Sequence, residues 1–394
     1  MKNKKENKQT LSKILAILYC LTFIIFIAVV IKVDILPKTT LILFCSLFTL
    51  FSILLIIQIR SSKIKKFARV LGYCVSILLI ITFVTTSTYA LQTLSFLNNT
   101  STSKSVEFSN IVKEPFNVCI TGIDVNGEID EQGRSDVNMI VTVNPNTEQI
   151  LLTSIPRDYE IYLSEYDNAS DKLTHTGFID TDTTIKAEED LLDIDIDQYI
   201  KINFSTVTQF IDAIGGVDVY SEYEFTPVKM KDWTVQEDMN HMNGKQALAF
   251  ARERKAFIDG DIQRTKNQQA VFEAIIKKST NSKTLLFDYT KILSGIEDYF
   301  EMSFSAKDIK SLIKFQLIKS PQWKIYKNTL IGGDAYIPTY STGYTEVYVM
   351  SQNQESIEQA KTLINGVLNG DKLTKNEEGL VYIETNNSEE EITN

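Results

Sequence analysis

The 394-residue chain is 44% hydrophobic and sets 40 basic against 50 acidic residues, a formal net charge of −10. That acidic balance, with no basic stripe on a helix-turn-helix pattern, argues against a nucleic-acid partner. His175 and His241 are too few and too far apart for a zinc site, and Cys119 is the one cysteine outside the apolar N-terminal stretches that hold Cys20, Cys45 and Cys74, which excludes an intrachain disulfide framework.

Three apolar stretches come first, 11–33, 39–59 and 70–94, each of the roughly 20 residues that cross a hydrocarbon layer. Lysine and arginine collect on the cytoplasmic side of a membrane. Lys2, Lys4, Lys5, Lys8 and Lys13 precede the first stretch, and Arg60, Lys63, Lys65, Lys66 and Arg69 fill the loop before the third, whereas the loop around Lys32, Asp34 and Lys38 is short and weakly charged. The expectation is a multi-pass cell-membrane protein with three transmembrane helices, its N-terminus inside and everything after about residue 95 outside. Residues 97–110 read as a polar flexible linker and 376–394 as an acidic disordered tail. One exterior domain, 111–375, lies between them.

Strand and helix patterns alternate in that domain. "FNVCITGI", "VNMIVTV" and "ILLTSI" are β-rich runs, the last two joined by the turn signal "NPNTEQ" and the third ended by Pro156. A capped helix over "TDTTIKAEEDLLD", a strand over "YIKINF", a helix over "STVTQFIDAI" stopped by Gly215 and Gly216, and a strand over "VDVYS" follow, and a further helix runs from Asp261 to Lys278. The class is α/β, a mixed β-sheet covered by helices.

If the first three strands are consecutive antiparallel neighbours, one sheet edge gathers Asp124 after the first, Arg134 and Asp136 before the second, and Arg157 and Asp158 after the third. Arg134 and Asp136 are two apart and share a side in an extended chain; the same holds for Arg252 and Arg254 if "ARER" is extended. On the helix from Asp261, Arg264 and Gln268 continue the inward stripe of Val271 and Ile275, near its positive end. The chain has seven arginines, and beyond the apolar region only Arg134, Arg157, Arg252, Arg254 and Arg264, each in an acidic or Pro-Arg-Asp setting. Guanidinium is a rigid, permanently charged fork suited to phosphate, so this usage points to geometry rather than to generic surface charge. Asp124 and Asp136 beside the cluster suggest Mg²⁺ or Mn²⁺, which takes one or two carboxylates plus water and substrate phosphate.

Taken in order, "TGID", "GRSD", "SIPRD", "DKLTH", "ALAFARER" and "GDIQRTKNQQ" resemble the LytR-CpsA-Psr family of Gram-positive cell-envelope proteins, densely over about 116–280 and faintly to about 370. The resemblance implies a phosphotransferase that moves a glycopolymer, such as teichoic acid or capsular polysaccharide, from undecaprenyl pyrophosphate to peptidoglycan, with pyrophosphate cleavage as a side activity. It assigns the metal to Asp124 and Asp136. The pyrophosphate falls to Arg134, Arg157, Lys172, Arg252, Arg254, Arg264 and Gln268, with catalysis resting on Arg252, Arg254, Arg264 and on Asp261, which supports the site or takes a proton. Asp158 is expected to orient Arg157. Asn267, where many relatives are basic, and the "THTGF" segment depart from the family pattern. The competing readings are an envelope regulator or a non-catalytic wall-binding module; the acidic, exterior domain argues against the first and the two metal-site acids against the second.

Overall fold

The computed structural model describes residues 2–34, 38–60, 66–100, 111–126, 129, 132–281, 300–377 and 379–384. The chain divides into two units, residues 1–98 with 313–318, and residues 99–312 with 319–394. The first is made of helices α1 (Lys2–Val33), α2 (Lys38–Arg60) and α3 (Lys66–Thr100). Tyr19, Phe26, Leu55 and Phe83 are buried among them, and the Tyr19 and Ser52 hydroxyls are hydrogen-bonded at 2.8 Å. Most other side chains on these helices are apolar and exposed, the reverse of a helix in water.

Two segments, Ser12–Val33 and Phe67–Gln92, are long and apolar enough to cross a membrane. The middle one falls short of the expectation: its apolar core, Leu41–Ile57, is a few residues below the length that spans without thinning the bilayer or tilting polar flanks inward. Helix α3 continues to Thr100, so residues 97–100 are helical rather than linker; residues 101–110 lie outside the described residues.

The second unit is built on a six-stranded mixed sheet. Its order is β10 (Lys324–Thr329), β3 (Gln149–Ser154), β2 (Ser135–Asn144), β1 (Phe116–Ile123), β6 (Gln198–Asn203) and β9 (Phe300–Met302). β1, β2 and β3 are consecutive antiparallel neighbours, the order supposed from sequence, while β6 and β10 join in parallel. Consecutive residues on one strand belong to opposite cores. Cys119, Ile140 and Leu151 face α4 (Thr181–Leu192) and α9 (Gln354–Asn369), whereas Ile120, Met139 and Leu152 face α5 (Phe204–Ala213), α7 (Gly260–Ser279) and the start of α8 (Ala306–Lys319). Both faces are therefore dry, which explains why these strands read as nearly unbroken apolar runs.

Local signals place the helices. The Asp180 side chain accepts from the Thr183 amide at 2.7 Å to start α4, and Asn203 with Thr206 forms a reciprocal capping box for α5. Past α5, Gly215 and Gly216 take φ of +77° and +84°, which ends the helix where only glycine is unstrained. β7 (Val217–Ser221) pairs with β8 (Asp238–Met242) outside the main sheet. The folded part runs beyond the expected end at 375: β13 (Leu373–Lys375) pairs with β14 (Val381–Ile383), and Val381 is buried in the α9-side core. Residues 376–377 and 379–384 of the expected acidic tail are thus part of the fold, and 378 and 385–394 lie outside the described residues.

Candidate functional site

The ends of β1, β2 and β3 supply half of the site. The β1–β2 pairing carries a bulge: Gly122 faces Val137 but Ile123 faces Ser135, which leaves Asp136 as the extra residue. A bulge re-aims a side chain out of the strict alternation, and accordingly Asp136 and its neighbour Val137 line the same cavity. Arg157 Nη1 donates to both Asp136 carboxylate oxygens at 3.1 and 3.3 Å, Arg157 Nε donates to Asp158 at 3.3 Å, and Lys172 Nζ donates to the other Asp158 oxygen at 3.1 Å. Lys172 ends β5 (Ala169–Lys172), the partner of β4 (Glu160–Leu163). Its ammonium also lies 5.7 Å from the Tyr348 ring centroid, on β12 (Glu346–Gln352), which pairs with β11 (Gly332–Pro338).

Helices α6 (Gly244–Arg252) and α7 supply the other half. α6 begins with an Asn243–Gln246 capping box, and Gly244 lets it approach α5, since a Cβ there would stand 2.0 Å from the Thr208 carbonyl oxygen. Arg252 is the last helical residue, so the expectation of an extended "ARER" does not hold: "KQALAFA" is a run of good helix formers, and the backbone becomes extended at Glu253. Glu253 is buried, with Oε1 accepting from the amides of Arg254, Lys255 and Ala256 at 2.7–3.1 Å and Oε2 from the Val228 amide at 2.6 Å. That carboxylate fixes the turn between the helices. The Arg252 guanidinium lies over the Phe204 ring, 3.9 Å from its centroid.

On α7, Arg264, Gln268, Val271 and Ile275 line one cavity wall, as their spacing requires. Asn267, at the position expected to be basic, is buried and structural: it donates to the Phe250 carbonyl at 3.2 Å and accepts from Gln263 at 3.0 Å, tying α7 to α6. Gln269 hydrogen-bonds Ser154 and the Asn328 carbonyl at 3.0 and 2.6 Å and so ties α7 to β3 and β10.

Asp261 is the common neighbour. Arg264, Arg254 and Arg157 lie 3.6, 3.7 and 3.9 Å from its oxygens, beyond good hydrogen-bond distance. One carboxylate is thus shared loosely by three guanidinium groups, and the forks of Arg254 and Arg264 stay available to another anion. Arg157, Lys172, Arg252, Arg254 and Arg264 face Asp136, Asp158 and Asp261, a surplus of positive charge. Burial opposes the charge on Arg157, but Asp136, Asp158 and Asp261 outweigh it and raise its pKa. Asp158 is half-buried, which favours its neutral form, yet Arg157 and Lys172 hold it below the usual carboxylate range. For Arg264, burial and the like charge of Arg157 win, and its pKa is lowered. It remains protonated at physiological pH, with Nε buried and without a hydrogen-bond partner.

Below this cluster opens a cavity of about 510 Å³, walled by Ile120, Ile202, Phe210, Leu248 and Phe272 as well as the α7 stripe, with Arg157, Arg252, Arg254 and Arg264 among its lining residues. It combines an apolar interior with a few convergent charged groups, the form of a small-molecule site. Sequence reasoning named no apolar contacts because the same residues serve ordinary core packing.

Two predicted residues, Asp124 and Arg134, stand apart from this network. Asp124 Oδ1 accepts from the Arg134 amide at 2.9 Å, closing the β1–β2 loop, and neither residue lines the cavity; the Arg134 side chain is exposed. Asp124 follows β1 while Asp136 begins β2, so both carboxylates belong to one sheet edge. Among the described residues no group of three or more His, Cys, Asp or Glu side chains could hold a metal ion, and the two-carboxylate set is of the kind magnesium uses with phosphate. Glu253, Phe204, Thr174 and Tyr348 are site neighbours missed from sequence. Thr174 donates to Asp136 at 3.4 Å, and the one legible signal was the acid between the two arginines of "ARER".

The polyisoprenyl-teichoic acid–peptidoglycan teichoic acid transferase TagU of Bacillus mycoides strain KBAB4 is 35% identical over 198 residues, 50% of this chain and 62% of TagU, so the chain spans less than two thirds of that relative. The transferase TagT of Bacillus subtilis strain 168 is 31% identical over 258 residues, 63% of this chain and 76% of TagT. A structure of TagT bound to LI-WTA superposes with a TM-score of 0.52 at 27% identity, covering 68% of this chain and 97% of that one. With the LytR_cpsA_psr family model matching residues 80–364, the chain belongs to the LytR_cpsA_psr family.

Proposed function

We propose that the protein is an extracytoplasmic phosphotransferase that moves a glycopolymer, a teichoic acid or capsular polysaccharide, from polyprenyl pyrophosphate to peptidoglycan. The observation that carries this reading is the union of a cation-rich, incompletely paired cluster, including the partnerless Nε of buried Arg264, with an apolar cavity. A diphosphate ester of a long hydrocarbon has these two demands and no others in common with the site. The names of the relatives, teichoic acid transferases, support the polymer class.

In the proposed step the acceptor hydroxyl oxygen attacks the glycan-bearing phosphorus. A new P–O bond forms, the phosphoanhydride bond breaks, and polyprenyl monophosphate leaves. Arg157, Arg252, Arg254 and Arg264 offset charge on the phosphate oxygens, Lys172 and Gln268 extend the clamp, and Asp261 takes the hydroxyl proton. Water in place of the hydroxyl gives pyrophosphate cleavage as a side reaction. Asp124 and Asp136 would hold Mg²⁺ or Mn²⁺, whose chemistry when bound is further neutralisation of phosphoryl charge.

The membrane reading is three crossings by α1, α2 and α3, N-terminus cytoplasmic and the sheet domain outside, supported by the lysine and arginine distribution. The test is incubation of the full chain with Mg²⁺, a polyprenyl-pyrophosphate-linked glycan and peptidoglycan fragments. Release of polyprenyl monophosphate with glycan on the peptidoglycan is expected, and a chain that yields neither product defeats the proposal.

A further inference from the structure

Two loops rim the cavity mouth. One, residues 226–234, is closed by reciprocal backbone hydrogen bonds between Phe225 and Val235 at 3.1 and 2.8 Å. The other, 253–259, joins α6 to α7, and Glu253 binds the two together through the Val228 amide. Val228, Lys229, Arg254 and Lys255 belong to the cavity lining, so these loops are its edge.

What they present outward is unlike an ordinary soluble surface. Ile258 is 103% exposed, Val228 43% and Ile262, in the first turn of α7, 37%. Trp233 is half-buried, and Lys229, Lys231 and Lys255 are exposed between these apolar groups, along with the acids Asp232 and Asp259. The display is held rigidly: Phe257 turns inward, with its ring centroid 4.8 Å from Phe225 and 5.8 Å from Tyr223, which leaves Ile258 at the tip of a fixed support. Apolar tips, an indole and interleaved lysines around an apolar opening are the composition of a surface that sits in a bilayer interface.

We propose that this rim docks on an anionic bilayer surface, with Ile258 and Trp233 in the headgroup–acyl boundary and Lys229, Lys231 and Lys255 against lipid phosphates. A hydrocarbon chain then passes between bilayer and cavity without crossing water. Three observations select a bilayer over a protein partner: the lysines match anionic headgroups, the patch is continuous with the apolar cavity, and the same chain carries helices long and apolar enough to cross a membrane. The purpose given to the rim rests on the proposed lipid substrate, but its test uses no turnover.

The chain has two tryptophans, Trp233 and Trp323, so Trp323→Phe makes Trp233 a sole depth probe. The full-length Trp323→Phe chain is reconstituted in phosphatidylglycerol–phosphatidylcholine vesicles, with and without lipids brominated near the top of the acyl chains. Trp233 emission should be blue-shifted and lose about half its intensity to the brominated lipid, because interfacial side chains sit roughly 5–10 Å into the boundary. Adding Ile258→Asp and Lys231→Glu should remove most of that quench. An unquenched Trp233, or a quench that the double substitution leaves unchanged, overturns the proposal. If Trp323→Phe fails to fold, the difference between unmodified and Trp233→Phe chains gives the same reading. Failed glycan transfer with an intact quench would count against the enzymatic reading and leave the docking surface standing.

Discussion

Asp136 holds Arg157 through both carboxylate oxygens, at 3.1 and 3.3 Å from a single guanidinium nitrogen, although the two residues begin and follow different strands. The contact exists because a bulge turns Asp136 out of the β2 alternation toward the end of β3. Asp136→Ala should therefore free Arg157 and lower turnover by roughly a hundredfold, the usual cost of misplacing a charge by about an ångström. Titrating Mg²⁺ against the variant separates two roles: weakened Mg²⁺ dependence is expected from a metal ligand, while an unchanged titration would confine Asp136 to orienting Arg157.

Arg264 is a cation kept where the folded domain gains little from it. Its side chain is 8% exposed, its Nε lacks a partner, and burial lowers its pKa. Arg264→Met should remove that burden and stabilise the protein by about 1–3 kcal/mol while abolishing turnover. Thermal melts beside an activity assay check it; a destabilised variant would mean that Asp261 needs Arg264 more than the distances suggest.

Glu188 on α4 is fully buried beside the Cys119 thiol, and burial, which that thiol only partly offsets, pushes its pKa up to about 8 from an ordinary 4.5. The folded state thus prefers the neutral acid, so the contribution to stability is complete below about pH 4.5 and is lost as pH rises through about 8. Denaturant melts should show stability falling across that window by a few kcal/mol, on the order of 1.4 kcal/mol per pKa unit. Glu188→Gln should flatten the dependence, and a variant with the same slope as the parent would rule Glu188 out as its source.

Gly177 lies in the 3-10 turn Leu173–Phe178, within the "THTGF" segment. A Cβ there would stand 2.4 Å from the Gly133 carbonyl oxygen and 2.7 Å from the Ser135 amide. Gly177→Ala should push the turn away from the start of β2, costing about 1–3 kcal/mol and most of the turnover through Asp136 and Thr174. Melts and kinetics that match the parent would show that the two segments part freely.

The parts of the site that were legible in sequence obey local periodicity. The three β-rich runs and the turn between the last two were visible, their antiparallel order being a supposition that the sheet bears out, and the inward line of Arg264, Gln268, Val271 and Ile275 followed from 3.6-residue spacing. What escaped depends on tertiary contacts. Asp136 reaches the cavity through a bulge that no pattern marks, Arg252 ends a helix because a capping box starts one nine residues earlier, and Tyr348 meets Lys172 from a hairpin far along the chain. Asn267 looked like a weakened phosphate ligand and is instead the hydrogen-bonded joint between α6 and α7. Glu253 was visible as a letter between two arginines, but its role as acceptor for four amides appears only in the fold.

A structure of the chain with a short-chain polyprenyl diphosphate tests the central claim most directly. The account predicts the hydrocarbon between Ile202, Phe210 and Ile275, and the diphosphate within hydrogen-bond reach of Arg157, Arg254 and the free Nε of Arg264. A diphosphate bound away from these guanidinium groups, or a hydrocarbon outside the cavity, would contradict it.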